Sequence, residues 1–402
     1  MINKVYSFTC VLVLGIFMAG CAGPQSQPAQ TDEVDAAANL DFARDQLHYF
    51  IQHSADTTHL PRTLRKDGTV RWVSASDWTS GFFPGELWYM YDYTNKPYWK
   101  DKAQTWTHLL KDQQYNTGTH DVGFMMYCSY GNGYRLTDNA DYKKILLQSA
   151  RSLASRFNKK VGAIKSWDFT DWNYPVIIDN MMNLELLFKA TQFSGDSTFY
   201  NIAKTHALTT LKNHFRPDGS TFHVVNYDSA TGEVIWRRTR QGYADSSTWA
   251  RGEAWALYGY TMTYRFTRDQ RFLDRAQKIA HFILNNPNLP DDYVPYWDYD
   301  APDISNAPRD VSAAAIMSSA FLELSKYVDE GNKKTYRQVA AKILNSLSTP
   351  EYRAEELGAN GGFILKKSVG SKPENSEVSV PLIYADYYYV EANVRYLDLM
   401  NK

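Results

Sequence analysis

Three stretches of this sequence set chemically capable side chains at the start of apolar, helix-forming runs. His120-Asp121-Val122-Gly123-Phe124 opens one run, and Ile177-Ile178-Asp179-Asn180-Met181-Met182-Asn183 opens another. The third, Ser247-Thr248-Trp249-Ala250-Arg251-Gly252-Glu253-Ala254-Trp255, puts an arginine and two tryptophans in the same kind of position. A carboxyl group can give or take a proton, and a guanidinium matches the geometry of a carboxylate. An indole face suits the C–H face of a pyranose. Gathered at the mouths of several helices, these groups describe a site for an acidic sugar.

Each residue also has a bland reading. An aspartate that opens a helix is often an N-cap, worth about 0.5–2 kcal/mol, and Asp141, Asp269 and Asp310 are read that way. Asp121 and Asp179 keep different company. His120 precedes the first, and Pro175-Val176-Ile177-Ile178 surrounds the second with apolar groups. Desolvation raises a carboxyl pKa toward what a general acid needs near neutral pH. A buried Arg251 needs an anionic or carbonyl partner. A structural salt bridge, to Glu253 or a nearby aspartate, and a clamp for a uronate carboxylate stand level. His223 and Gln241 lie on or just beyond a hairpin upstream of that arginine. Trp78 and Trp167 precede apolar helices, where sugar stacking and core packing both fit.

No competing chemistry is encoded. The sequence lacks His-Glu-x-x-His, cysteine pairs, a phosphate-binding glycine loop and a Gly-x-Ser-x-Gly elbow. No cofactor or metal is expected. The net charge is −1 with no basic run, so nucleic acid is excluded as a partner. An acidic ligand must then be held by a few placed cations.

The N-terminus reads as a targeting segment. Lys4 supplies a positive charge, Val11 to Met18 is apolar, and Met18-Ala19-Gly20-Cys21 resembles a lipobox. Residues 1–21 are therefore expected to be a lipoprotein signal peptide ending at a lipidated Cys21. Residues 22–39 follow as a flexible tether, and 40–402 as one catalytic domain. The apolar stretch is too short for a comfortable span, so the membrane would be met only through the lipid. That places the protein in the envelope of a Gram-negative bacterium, periplasmic or anchored to the outer membrane. With Cys10 lost and Cys21 acylated, Cys128 remains as a buried, inert thiol.

From residue 40 the apolar period is helical. Twelve segments carry it, among them Leu40–His53, Gly81–Thr94, Asp121–Thr137, Asp179–Gly195, Thr248–Thr267, Asp310–Tyr327 and Pro381–Leu397. One kind is amphipathic, such as Phe272-Leu273-Asp274-Arg275-Ala276. The other is apolar or small all round, such as Val311-Ser312-Ala313-Ala314-Ala315-Ile316-Met317, and must be buried on every side. Alternation of the two kinds predicts two concentric rings: an all-α six-hairpin toroid, the (α/α)6 barrel. Arg62 to Val73 and Thr221 to Arg238 read as short β-hairpins on its rim.

Taken together, these segments resemble the unsaturated glucuronyl hydrolases of glycoside hydrolase family 88. The match runs from about Leu40 to the C-terminus. It is carried by Asp77-Trp78-Thr79-Ser80-Gly81-Phe82-Phe83-Pro84-Gly85, the Asp121 and Asp179 segments, Gln241-Gly242, Thr248-Trp249-Ala250-Arg251-Gly252 and Asp386-Tyr387-Tyr388-Tyr389. The resemblance implies Asp179 as general acid/base and Asp121 as the second essential carboxylate. It puts Trp78, His120, Trp167, His223, Gln241, Arg251 and Trp255 at substrate-binding positions. It also implies sulfate recognition by Ser368, Ser371 and Lys372 in Ser368-Val369-Gly370-Ser371-Lys372, whose spacing departs from the family pattern; a solvated loop is the alternative. The implied partners are oligosaccharides with a 4,5-unsaturated uronate at the non-reducing end, bound by a monomer or weak dimer. Three rivals remain: an unsaturated rhamnogalacturonyl hydrolase acting on pectin fragments, a sugar 2-epimerase, and a non-catalytic saccharide-binding lipoprotein. The His120-Asp121 pair favours the glucuronyl side, and an epimerase would need more cavity histidines.

Overall fold

The computed structural model describes residues 1, 2, 4, 5, 33–54 and 56–400. The chain divides into Met1–Glu33 and Val34–Lys402, and every element named here belongs to the second unit. Cys21 and the lipobox lie outside the described residues. No described helix is long and apolar enough to cross a membrane.

All twelve expected helical segments form. The outer ring comprises α1 (Ala36–His53), α3 (Pro97–His108), α6 (Ala140–Ala154), α8 (Ser197–Asn213), α10 (Gln270–Leu284) and α12 (Glu330–Leu347). Between them run the inner arms α2 (Phe82–Thr94), α4 (Val122–Met126) continued by α5 (Asn132–Thr137), α7 (Asn180–Ser194), α9 (Ala250–Thr267), α11 (Val311–Leu324) and α13 (Ile383–Met400). The inner arms touch in chain order and α13 returns to α2, which closes the ring. Burial follows residue type. Every residue of α11 is buried, while α10 buries only Phe272, Leu273, Ala276, Ile279, Ala280 and Ile283 along one stripe. Helix α1 begins four residues before the expected Leu40, because Asp35 accepts from the Ala38 amide. The segment read as a tether is thus helical over its last four residues.

The expected single helix Asp121–Thr137 is broken by a turn of π-helix, Tyr127–Gly131. There the Tyr127 ring fills the space where a Gly131 Cβ would stand, and the Asn132 side chain donates to the Cys128 carbonyl. Cys128 itself is buried in this turn.

The strands lie where the outer helices hand over to the inner ones. β1 (Leu60–Leu64) and β2 (Val70–Val73) form the expected antiparallel hairpin, and β3 (Phe157–Asn158) and β4 (Ala163–Ile164) make a minimal one. β5 (Tyr174–Ile177), β6 (Val224–Tyr227) and β7 (Val234–Arg238) build a three-stranded sheet with β6 central. The sequence reading found β6 and β7 but took 175–178 only as apolar surroundings for Asp179. Of these, Pro175–Ile177 belong to edge strand β5, whose pairing partner lies about fifty residues on, and Ile178 follows in a turn. β8 (Ser368–Ser371) and β9 (Ser376–Val380) form a further hairpin where a loop was the alternative reading.

Helices α4 and α7 cross closely at Gly123, where a Cβ would stand 2.5 Å from the Asn183 Cα. The Asn183 side chain also accepts from the Phe124 amide at 2.7 Å. Gly123→Ala should therefore force the two helices apart and cost about 1–3 kcal/mol. Denaturant unfolding of the variant should show a lowered midpoint; an unchanged midpoint would mean that the crossing relaxes freely.

Candidate active site

The N-terminal ends of the inner helices converge on a cavity of about 220 Å³. Asp121 immediately precedes α4 and Asp179 immediately precedes α7, and both line it. Neither carboxylate caps its helix, whereas those of Asp269 and Asp310 do. Asp141 is not a cap either: Asn139 caps α6, and Asp141 pairs with Lys144. Of these five aspartates, the two that cap no helix and pair with no lysine or arginine are the two that line the cavity.

Pairing of β5 with β6 sets the centre of the site. The Ile178 amide bonds to the His223 carbonyl at 3.0 Å, which brings that histidine beside Asp179. The amides of Arg240 and Gln241 both donate to His223 Nδ1, at 3.1 and 3.2 Å. Nδ1 is therefore an acceptor, and the neutral ring carries its proton on Nε2. That Nε2 stands 3.8 Å from Asp179 Oδ2, beyond hydrogen-bond range, and neither atom has another partner among the described residues. Both are left for a ligand. Burial holds the His223 pKa well below its usual value, and Arg251 and Arg240 lower it further.

The Asp179 side chain is 13% exposed, and burial pushes its carboxyl up to about 7. Arg251 opposes that rise and the charge of Asp121 adds to it. Asp121 accepts from the Thr119 hydroxyl at 2.8 Å and lies 3.3 Å from His120 Nε2. His120 is buried, its Nδ1 3.3 Å from the Asn183 amide nitrogen, and burial lowers its pKa.

Arg251 sits in the first turn of α9. Its partner is Asp310, at 2.9 Å, and not Glu253, which turns away to accept from the Thr221 amide and hydroxyl. Further donors go to the carbonyls of Val369 and Gly370 in β8. The guanidinium lies against Trp249 and Tyr384, 4.6 and 5.4 Å from the ring centres. Asp310 is thus more than the cap it was read as: it caps α11 and neutralises a buried arginine.

Trp78, Trp167, Gln241 and Ser371 also line the cavity, and the Gln241 side chain bonds to the Gly370 carbonyl. Four expected residues do not line it, and the first of them, His223, is buried beside Asp179. Trp255 is fully buried against Phe124 and Tyr388. Ser368 is buried in β8, its hydroxyl without a partner among the described residues. Lys372 is exposed in the turn that follows β8, while Ser371, the last residue of the strand, lines the cavity. The sequence reading missed Arg62, Phe169, Arg240, Glu374, Glu377 and Tyr384. Tyr384 opens α13 as Asp179 opens α7 and was findable on that ground. Arg62 and Glu377 meet only through the pairing of distant segments. Among the described residues, no group of three or more His, Cys, Asp or Glu is gathered as a metal site.

A closed double ring of helices with two uncapped aspartates, one carrying a raised pKa, at a single mouth defines an (α/α)6-barrel enzyme with acid/base capability. No protein-family model matches the chain. It is 45% identical, over 98% of both chains, to an unsaturated glucuronyl hydrolase of Formosa agariphila. It is 34% identical, over 87% of this chain and 89% of the other, to an unsaturated chondroitin disaccharide hydrolase of Streptococcus pneumoniae. A crystal structure of an unsaturated glucuronyl hydrolase specific for heparin superposes with a TM-score of 0.89 at 48% identity, covering 91% of this chain and 98% of that one. The chain belongs to the unsaturated glucuronyl hydrolases.

Asp310→Asn should leave the charge of Arg251 without its carboxylate and draw Asp179 toward its ionised form. In a carbon-13 carboxyl NMR titration the Asp179 midpoint should then fall below about 7. A midpoint that stays put would mean that Asp310 serves packing alone.

Proposed function

We propose that this enzyme removes the 4,5-unsaturated uronate from the non-reducing end of lyase-generated glycosaminoglycan fragments by hydrating the C4=C5 double bond. The observation that carries the reading is Asp179, a carboxyl raised to about 7 with a free oxygen 3.8 Å from His223 Nε2. Such a group is protonated near neutral pH yet able to cycle. The curated relatives with the same fold and length support the substrate class.

In this scheme Asp179 gives its proton to C4 of the vinyl ether. Water adds to C5, and its proton returns to Asp179, so acid and base are one residue. The product is a hemiketal at C5, which opens and expels the remaining sugar. One switching carboxyl replaces the acid-plus-nucleophile pair of common glycosidases. Asp121 holds sugar hydroxyls and, as an anion, helps to keep Asp179 protonated. Trp78 offers a ring face at the cavity. Arg251 has most of its donors engaged, so it contributes positive charge to the uronate end more than a free two-pronged clamp. The envelope location is also our reading; it rests on Met18-Ala19-Gly20-Cys21 and the apolar residues before it.

Purified enzyme should erase the ultraviolet absorbance of the conjugated uronate in at least one unsaturated disaccharide from chondroitin, heparin or hyaluronan. Pectin-derived fragments serve as the contrast. Asp179→Asn should lower the rate by about 10²–10⁴-fold. No loss of absorbance with any substrate would sink the reading.

The pH dependence has a definite sign. The required form is the protonated acid, so kcat should be sustained below about 7 and fall above it as Asp179 ionises. A kcat that climbs through that range would exclude Asp179 as the proton donor.

A further inference from the structure

Asn183 closes the motif Ile178-Asp179-Asn180-Met181-Met182-Asn183, yet the reaction gives it nothing to do. It follows Asp179 by four residues, so the two side chains leave α7 on one face, a turn apart. Asn183 is fully buried and reaches across to α4 instead of lining the cavity. Gly123 makes that reach possible, since a Cβ there would stand 2.5 Å from the Asn183 oxygen.

Its two polar contacts decide where a proton sits. The Phe124 amide can only donate, so the Asn183 atom 2.7 Å away is the carbonyl oxygen and the other is the NH2. That NH2 can only donate, and it stands 3.3 Å from His120 Nδ1. Nδ1 must then accept, which leaves the proton of the neutral ring on Nε2. Burial lowers the His120 pKa, against the raising charge of Asp121, so the ring holds one proton. Nε2 in turn stands 3.3 Å from Asp121 Oδ1, while the Thr119 hydroxyl donates to Oδ2. Each oxygen of Asp121 thus faces a donor. A proton on Nδ1 would instead turn the Nε2 lone pair toward the carboxylate and set two N–H groups against each other.

We propose that Asn183 is a positioning residue for the reaction: it fixes the His120 proton on Nε2 and thereby orients Asp121. The amides of Arg240 and Gln241 do the same for His223, so each imidazole keeps its Nε2 proton on the side of a carboxylate. One side chain on the helix of Asp179 thus sets the group beside the second carboxylate, and the two aspartates are aligned through a single turn of α7. Asn183 acts only through His120 and Phe124. The kinetic consequence rests on the function given above; the position of the proton does not.

Nitrogen-15 NMR of the imidazoles in the full-length enzyme, with His120 assigned by its loss in His120→Gln, reads the proton directly. At neutral pH the wild-type ring should be neutral with its proton on Nε2. A proton on Nδ1, alone or in an imidazolium, would overturn the proposal. Asn183→Asp keeps an acceptor for the Phe124 amide but has no donor for Nδ1. Its His120 should therefore gain a proton on Nδ1, and kcat/KM on an unsaturated disaccharide should fall about tenfold or more. Asn183→Ala removes the donor without adding a buried charge; it should mix the two tautomers and lower kcat/KM in the same direction. A folded variant that keeps the proton on Nε2 alone, or keeps the wild-type kcat/KM, would overturn the proposal. A wild type inactive on every substrate would overturn the functional reading instead, and the spectrum would then decide the tautomer alone.

Discussion

A charge buried at the mouth of the ring must be held from several sides, and Arg251 is held from three. Asp310 at the start of α11 neutralises it, the β8 carbonyls of Val369 and Gly370 take its other donors, and Trp249 and Tyr384 lie against it. Removing one member of such a buried pair is expensive because it strands the other. The arrangement therefore pins α9, α11 and the last hairpin in one relation to each other. The Asp310 carboxylate also accepts from the Ser312 amide, so the cap of α11 and the counter-ion of α9 are one group.

The electrostatics of Asp179 follow from that frame. Two influences favour its ionised form: the positive end of α7 and the guanidinium of Arg251. Burial wins against them, moving the carboxyl from 3.8 to about 7, or roughly 4 kcal/mol in favour of the protonated state. Arg251 is the largest influence opposing the rise. Asp121 acts in the same direction as burial but as a smaller cause. The acid is thus tuned mainly by the apolar walls of Ile177 and Ile178 and by the sheet that covers it.

Much of this was legible from local pattern. The helical period marked twelve arms, and residue type separated inner from outer. The Ala- and Ser-rich α11 has no face that could meet water, so closure into a ring followed from burial alone. Asp121 and Asp179 stood out because apolar neighbours and an adjacent histidine distinguished them from ordinary caps. The β5 strand, the β8–β9 hairpin and the π turn were not legible. Each is defined by a partner distant in sequence or by a ring filling a gap, and short apolar runs carry no strand-specific period.

The sequence by itself determined the ring of helices, the two aspartates and the arginine at their mouths, because these depend on periodicity and residue chemistry within single segments. Only the tertiary structure decided who partners whom. It assigned Arg251 to Asp310 rather than Glu253, set the His223 proton on Nε2 through the amides of Arg240 and Gln241, and turned Lys372 to solvent. Such choices depend on distance and desolvation between segments up to hundreds of residues apart. Those quantities exist only once the ring has closed.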